Sequence, residues 1–371
     1  MNNIPTLNDL HIRITSSCNF NCQHCYAADW FNEKYELSID DIKSLVDQAI
    51  DLGCKKVTFS GGEPLFAKDI NEALRYCLEK KLKVAVETNG VLVDKIIDGL
   101  GENQIRNVSF AVSYDGNKMR DARFAQLVKD NIIKVANLGC EIKIQTAITK
   151  INVDELDDIF QFSKSYGIKN RCFLAHSTHG NGKNIPIFKV EEWLTIIKKV
   201  SENYPNVMIE LPDVFPGRKK RKCGWGVHRC EVMPNGDVTS CGPITFNHRD
   251  FVAGNIKKEL LKDIWMSKHF AKIRELKQSD YEMPCAKCIY WETCLGSCRS
   301  LAFSNGKKLL SPHPFCKALY DEIKNQKLDK SLLQDIGLVE AWINGIEDPN
   351  YIPTDELYSN IVKKQHSGES K

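Results

Sequence analysis

Cys18, Cys22 and Cys25 form a C-x3-C-x2-C array within residues 15–26, TSSCNFNCQHCY. Three thiolates at this spacing can each ligate one iron of a single [4Fe–4S] cube. The fourth iron then has no protein ligand. An open position is what a catalytic metal needs, whereas a structural metal is usually fully coordinated. Zinc asks for four ligands in paired spacings, and no fourth Cys lies nearby, although His24 is a possible donor. Three buried thiols are the other reading of the same residues.

A second, denser set of cysteines follows later. Cys223-x6-Cys230-x10-Cys241 encloses a hairpin whose turn is Pro234-Asn235-Gly236-Asp237. Cys285-x2-Cys288-x5-Cys294-x3-Cys298-x17-Cys316 comes after it. These eight Cys make two full sets of four, enough for two closed [4Fe–4S] clusters or for a pair of zinc sites. Cys54, Cys77, Cys140 and Cys172 fall in or beside apolar segments and read as core thiols.

Polar motifs punctuate the first half of the chain. Gly61-Gly62-Glu63-Pro64 puts two residues without side chains on a loop, where backbone groups can approach a ligand. Glu63 can accept hydrogen bonds from an ammonium group. Thr88-Asn89-Gly90, Ser113-x-Asp115-Gly116, Arg123, and the pair His176 and His179 are further candidates. The competing reading for the first of these is a helix N-terminal turn, and for the histidines a solvated loop. The basic run RKKRK at 218–222 reads as a linker, or alternatively as a dock for an acidic peptide.

Every one of the first-half motifs follows a segment that reads as a strand. Strands are expected at 10–15, 56–60, 82–86, 108–112, 141–148 and 169–175. Helices are expected at 38–52 (Ser38 as N-cap, Gly53 as stop), 69–80, 93–100, 123–138, 154–166 and 190–203. Six alternations demand parallel strands with right-handed crossovers. An open, partial (β/α)6 TIM-type barrel and a doubly wound sheet both fit, and both place their sites at strand C-termini. A helix around 260–276 and another near 332–346 complete the pattern, and the last residues, QHSGESK, are expected to be disordered.

The Cys triplet followed by an aromatic, on the loop after a first strand, resembles the signature of the radical S-adenosylmethionine (SAM) superfamily, with His24 where an aromatic is usual. That resemblance implies the partial barrel. It implies that the open iron chelates the amino and carboxylate groups of SAM. One electron then cleaves SAM to methionine and a 5′-deoxyadenosyl radical, which abstracts a substrate hydrogen atom. Gly61-Gly62-Glu63-Pro64 resembles the family's element for the SAM amino group. By the same resemblance Ser113 contacts SAM, Arg123 pairs with its carboxylate at a spacing about two residues short, and Thr88 and Asn89 lie near the ribose.

Seven of the C-terminal Cys, with Gly236 before Cys241, resemble the SPASM extension of radical SAM maturases. The resemblance implies one auxiliary cluster on Cys223, Cys230, Cys241 and Cys298. It implies a second on Cys285, Cys288, Cys294 and Cys316. The expected organisation is an α/β chain with a radical SAM partial barrel at 1–215 and a small Cys-rich SPASM domain with a β-hairpin and helices at 216–320. A polar helical tail at 321–371 follows. Sulfatase maturases of this type carry an Asp after the Cys matching Cys241, and here that residue is Gly242, followed by Pro243. No base is therefore expected there, and no formylglycine-forming activity. The expected function is oxidative modification or cross-linking of a ribosomally made peptide, with a flavodoxin or ferredoxin as electron donor. The alternatives are oxidation of a small molecule such as a tetrapyrrole, or a non-enzymatic zinc module.

Composition narrows this further. The 371 residues carry a net charge of +3, which argues against a general nucleic-acid binder. No run of 18 apolar residues suits a membrane span. The residues at 1–10 lack a signal pattern, so a cytoplasmic, anaerobic enzyme without a fused leader-binding domain is expected. In that compartment fifteen Cys read as metal ligands rather than disulfides.

Overall fold

The computed structural model describes residues 4–30, 33–120, 122–174, 179–212, 214–215, 223–246, 248–306, 308–325, 327–328 and 336–348. His176, the basic run 218–222 and the QHSGESK end lie outside the described residues.

Apolar strands alternate with amphipathic helices through the first part of the chain. The order is β1 (Asp9–Thr15), α1 (Ile39–Asp51), β2 (Lys56–Gly61), α2 (Ile70–Glu79), β3 (Lys83–Thr88), α3 (Val93–Leu100), α4 (Glu102–Ile105), β4 (Val108–Ser113), α5 (Ala125–Asn137), β5 (Ile142–Ile148), α6 (Leu156–Ser165), β6 (Lys169–Leu174), α7 (Val190–Asn203) and β7 (Val207–Glu210). Local chemistry sets the boundaries. Ser38 caps α1 by accepting from Asp41 N at 3.1 Å, and Asp41 returns the bond to Ser38 N at 3.2 Å. Gly53, at φ +90°, turns the chain out of that helix.

Each helix carries the chain back across the sheet, so β1 to β7 pair parallel in sequence order. The strands are the partial barrel expected, with one more than the six read from sequence. The seventh, VMIE, is only four residues long, too short to show an alternation. It completes β6's outer edge.

The Cys-rich region does not begin a separate sheet. β8 (Arg229–Val232) and β9 (Asp237–Thr239) form the expected hairpin, turning at Gly236 with φ +90°. β10 (Val252–Asn255) pairs antiparallel with β9. β8 also pairs parallel with β1, from Asp9↔Arg229 to Ile12↔Val232. The first strand's remaining backbone donors and acceptors are thereby satisfied. The result is one ten-stranded sheet, β10-β9-β8-β1-β2-β3-β4-β5-β6-β7.

Helices α8 (Gly242–Thr245), α9 (Leu261–Trp265), α10 (Lys268–Arg274), α11 (Trp291–Cys294), α12 (Arg299–Gly306), α13 (Pro314–Lys324) and α14 (Ile336–Glu347) cover this end. The single helix expected at 260–276 is broken in two by Ser267, which is extended at φ −62°, ψ 159°. The expected polar tail is not wholly polar. Val339, Trp342, Ile343 and Ile346 of α14 are buried in the main core.

Strand β1 is buried on both faces, as a central parallel strand must be. Leu10, Ile12 and Ile14 pack under the helices, while His11, Arg13 and Thr15 occupy the barrel's inner face. Cys54, Cys77, Cys140 and Cys172 are core thiols, as expected. Among the described residues no helix is long and apolar enough to cross a membrane.

Candidate functional site

Cys18, Cys22 and Cys25 sit on the loop leaving β1, each partly buried. The loop is pinned to its neighbours by backbone bonds. Gly62 N donates to Thr15 O at 2.8 Å and Glu63 N to Ser17 O at 2.9 Å. A Cβ on Gly62 would lie 2.4 Å from Ser17 O, so only glycine lets the two loops touch. On the other side Asn181 N donates to Cys25 O at 2.9 Å, and Asn181 Nδ2 to Cys22 O at 3.0 Å.

Burial pushes the Cys18 thiol up to about 12 and Cys25 up to about 11, and raises Cys22 as well. Such thiols keep their protons unless a cation replaces them, which is the coupling of metal-ligand sites. In a cube each thiolate binds its own iron, so the ligands surround a volume and not a point.

Glu63 is 1% exposed, and its carboxylate is turned into the protein. It accepts from Leu65 N at 3.1 Å, Thr88 Oγ1 at 2.7 Å and Asn89 N at 2.7 Å. Asn89 Nδ2 in turn donates to Asn19 Oδ1 at 2.7 Å, inside the Cys loop. Glu63, Thr88 and Asn89 thus form a knot beneath the Cys loop, and most of the carboxylate's accepting capacity is used within the fold. Pro64 is buried and begins the short helical turn Pro64–Phe66.

Ser113 is half-buried at the end of β4. Asp115, two residues on, is buried and accepts from Arg120 Nε at 2.7 Å and Ala147 N at 2.6 Å. Burial, the largest influence, would raise its carboxyl, but Arg120, His24 and the Ala147 N–H together outweigh this and hold it below the usual carboxylate range. His24 Nε2 lies 3.6 Å from the same carboxylate, and burial lowers its pKa, so His24 belongs to this anchor. Arg120 also favours ionisation of the Cys22 thiol. Arg123, the arginine singled out in the sequence, is instead on an exposed turn, 6.0 Å from the Phe124 ring. Arg120 is one of the cations at the Cys loop, with Arg13. The only sequence signal of Arg120 is its position five residues after Asp115.

His179 is half-buried, its ring 5.5 Å from that of His248, which packs at 4.7 Å on Phe303. Next to it, a Cβ on Gly180 would lie 2.3 Å from Cys25 O, so this loop rests on the Cys triplet.

The C-terminal cysteines divide differently from the expected four and four. Cys223, Cys241 and Cys298 are electrostatic neighbours: Cys298 and Cys223 both raise the Cys241 thiol, and Cys223 raises that of Cys298. Cys298 stands at about 11, chiefly through burial. Cys230 does not join them. It follows β8's alternation to the outer face, where it is wholly buried in the main core beside Cys54. Its neighbour Glu231 takes the inner face. Strand parity separates them, and a register shift of one residue would be needed to bring Cys230 in.

Cys285, Cys288, Cys294 and Cys316 do assemble. They line one cavity with Trp291, His313 and Trp342. Trp342 Nε1 donates to Cys288 Sγ at 3.2 Å, so α14 seals this site. Four thiols around one cavity fit a closed cluster, whereas the Cys223 site offers three.

Two comparisons of sequence families bear on these sites. A family model described as the Radical SAM superfamily matches residues 12–163, and SPASM, an iron–sulfur cluster-binding domain, matches 223–289. The chain is 25% identical over 349 residues to an AdoMet-dependent heme synthase of Nitratidesulfovibrio vulgaris, covering 84% of this chain and 92% of that protein. It is 25% identical over 323 residues to the mycofactocin maturase MftC of Mycolicibacterium smegmatis, covering 82% and 81%. Its fold is similar to Streptococcus suis SuiB bound to precursor peptide SuiA, with a TM-score of 0.68 at 18% identity over 85% of this chain and 76% of that one.

Proposed function

The chain is a radical SAM superfamily enzyme with a SPASM domain, and from that premise we propose that it oxidatively modifies or cross-links a ribosomally made peptide. Cys18, Cys22 and Cys25 hold the SAM-binding [4Fe–4S] cluster. A cluster held there would supply the one-electron cleavage of SAM that starts hydrogen-atom abstraction from substrate. The protein's part is to place SAM. The Gly61–Gly62 backbone approaches its amino group, and Ser113 lies alongside. Arg120, held by Asp115 through Nε, turns its remaining N–H groups to the carboxylate, the role the resemblance gave to Arg123. Glu63, Thr88 and Asn89 fix the loop that does this. His179 faces the same loop from the substrate side.

Cys223, Cys241 and Cys298 hold one auxiliary cluster, and Cys285, Cys288, Cys294 and Cys316 a second. A flavodoxin or ferredoxin delivers the electron, in an anaerobic cytoplasm that keeps the thiols reduced. The convergence of the Cys loop, Gly61–Gly62 and Arg120 at the strand C-termini carries the radical chemistry. Alignment with a maturase over about four-fifths of both chains supports a peptide as substrate. The inner face also suits one, because His11, Glu87, Lys143 and Arg171 interact there and present charge and hydrogen-bonding groups to a polar backbone.

One observation favours a second reading. A heme synthase aligns over a comparable span, and Lys143, beside an Arg171 that pairs with Glu210, also suits a carboxylate of a tetrapyrrole. Reconstituted enzyme, SAM and dithionite are incubated separately with a short peptide encoded beside the gene and with a propionate-bearing tetrapyrrole. Mass spectrometry should show a peptide product lacking hydrogen. Conversion of the tetrapyrrole alone would remove the peptide reading.

A further inference from the structure

Arg13 in β1 and Glu231 in β8 stand on the inner face of adjacent strands, and Arg13 Nε donates to Glu231 Oε1. Their side chains are 8% and 0% exposed. Each end of this ion pair is tied to a different Cys loop. Arg13 Nη2 donates to the Tyr26 hydroxyl at 2.9 Å, and Tyr26 directly follows Cys25. The guanidinium also lies 4.9 Å from the Phe246 ring. Glu231 Oε2 accepts from Gly242 N at 2.6 Å, and Gly242 directly follows Cys241. A Cβ on Gly242 would lie 2.4 Å from that carboxylate. The space a side chain at 242 would take is filled by Glu231. A carboxylate therefore stands beside the Cys241 loop, reaching it from the neighbouring strand while paired with Arg13.

The pair is oriented. Its positive end is tied to the loop of Cys25 and its negative end to the loop of Cys241. Two buried charges are costly to desolvate unless further hydrogen bonds satisfy them, and Tyr26 and Gly242 N supply these. We propose that this pair tunes the first auxiliary site: Glu231, fixed against the Cys241 loop, holds the reduction potential of a cluster on Cys223, Cys241 and Cys298 low. Nearby charge and hydrogen bonding are the protein's levers on such potentials. A negative charge beside a cluster disfavours the added electron, which makes the site a better donor toward the Cys18/Cys22/Cys25 cluster beside Arg13. The inference rests on reading Cys223, Cys241 and Cys298 as a cluster site.

The test is an EPR-monitored dithionite titration of full-length, reconstituted wild type, Glu231→Gln, Glu231→Asp and Gly242→Ala, with iron counted in each. Dithionite gives one electron to the oxidised cluster, and no bond changes. Glu231→Gln should move the first auxiliary equilibrium about tenfold toward the reduced form, ~59 mV for one electron, and leave the second auxiliary cluster unmoved. Gly242→Ala, whose methyl group displaces the carboxylate, should move it the same way. Glu231→Asp, which keeps the charge, should stay near wild type. An unmoved potential in Glu231→Gln and Gly242→Ala at full iron overturns the proposal. If Glu231→Gln does not hold its iron, Gly242→Ala decides alone. Wild type lacking that cluster's iron and signal would instead refute the cluster reading beneath it.

Discussion

Replacing Cys230 with Ala distinguishes a core thiol from a cluster ligand. Cys230 is 0% exposed on the outer face of β8, opposite Leu10 and beside Cys54. The change removes one buried heavy atom and leaves a small cavity, which costs about 1 kcal/mol. It removes no thiolate from the inner face. Iron in the reconstituted protein should therefore stay at roughly 12 per chain if all three clusters are cubes. Cys241→Ala and Cys298→Ala each remove one of only three inner thiolates, and each should lose about four irons. Iron counting on anaerobically reconstituted protein, with thermal melts of the iron-free forms, reads both effects together. A Cys230→Ala protein that melts within a few degrees of wild type but lacks about four irons would refute the strand-parity argument and return Cys230 to the ligand set.

Other substitutions test the SAM-binding side. Arg120→Gln should weaken SAM binding about tenfold or more, the worth of a charge-assisted bond, whereas Arg123→Gln should bind SAM like wild type. Equilibrium dialysis with labelled SAM measures both, and equal losses would undo the assignment. Glu63→Gln puts an amide N–H₂ among three hydrogen-bond donors and should cost about 2 kcal/mol in apoprotein stability, read by denaturant midpoint. No change in midpoint would show that the buried carboxylate is not holding the loops. Gly62→Ala, whose methyl group would sit 2.4 Å from Ser17 O, should fail to load the first cluster while keeping the iron of the Cys285 site. Full loading would mean that the two loops can separate at little cost.

What the sequence revealed and what it hid follow from how far apart the interacting residues lie. The strand–helix alternation and the Cys spacings are local patterns, so the barrel, the hairpin turn at Gly236 and the Cys triplet were legible. Four-residue β7 carried too little periodicity to be seen. Arg13 and Glu231 are 218 positions apart and meet only because β8 pairs with β1. Nothing local marks either residue. Counting thiols in fours included Cys230 because a count ignores which face of a strand a residue occupies. The resemblance pointed to Arg123, whereas Arg120 is the arginine whose side chain reaches Asp115, five residues back. Trp342 sits in the apolar segment Ile336–Glu347, and its role comes from its indole N–H meeting Cys288, 54 positions away, which no local pattern marks.

The central claim is that the Cys18, Cys22 and Cys25 loop holds a cluster that cleaves SAM. The most direct measurement is 5′-deoxyadenosine formation by anaerobically reconstituted protein given SAM and dithionite, compared with the triple variant Cys18→Ala, Cys22→Ala, Cys25→Ala. The account predicts steady formation by wild type. It predicts none from the triple variant, which should still hold about two-thirds of the iron if all three clusters are cubes. Cleavage retained by the triple variant, or a colourless wild-type protein that binds zinc and leaves SAM intact, would contradict it.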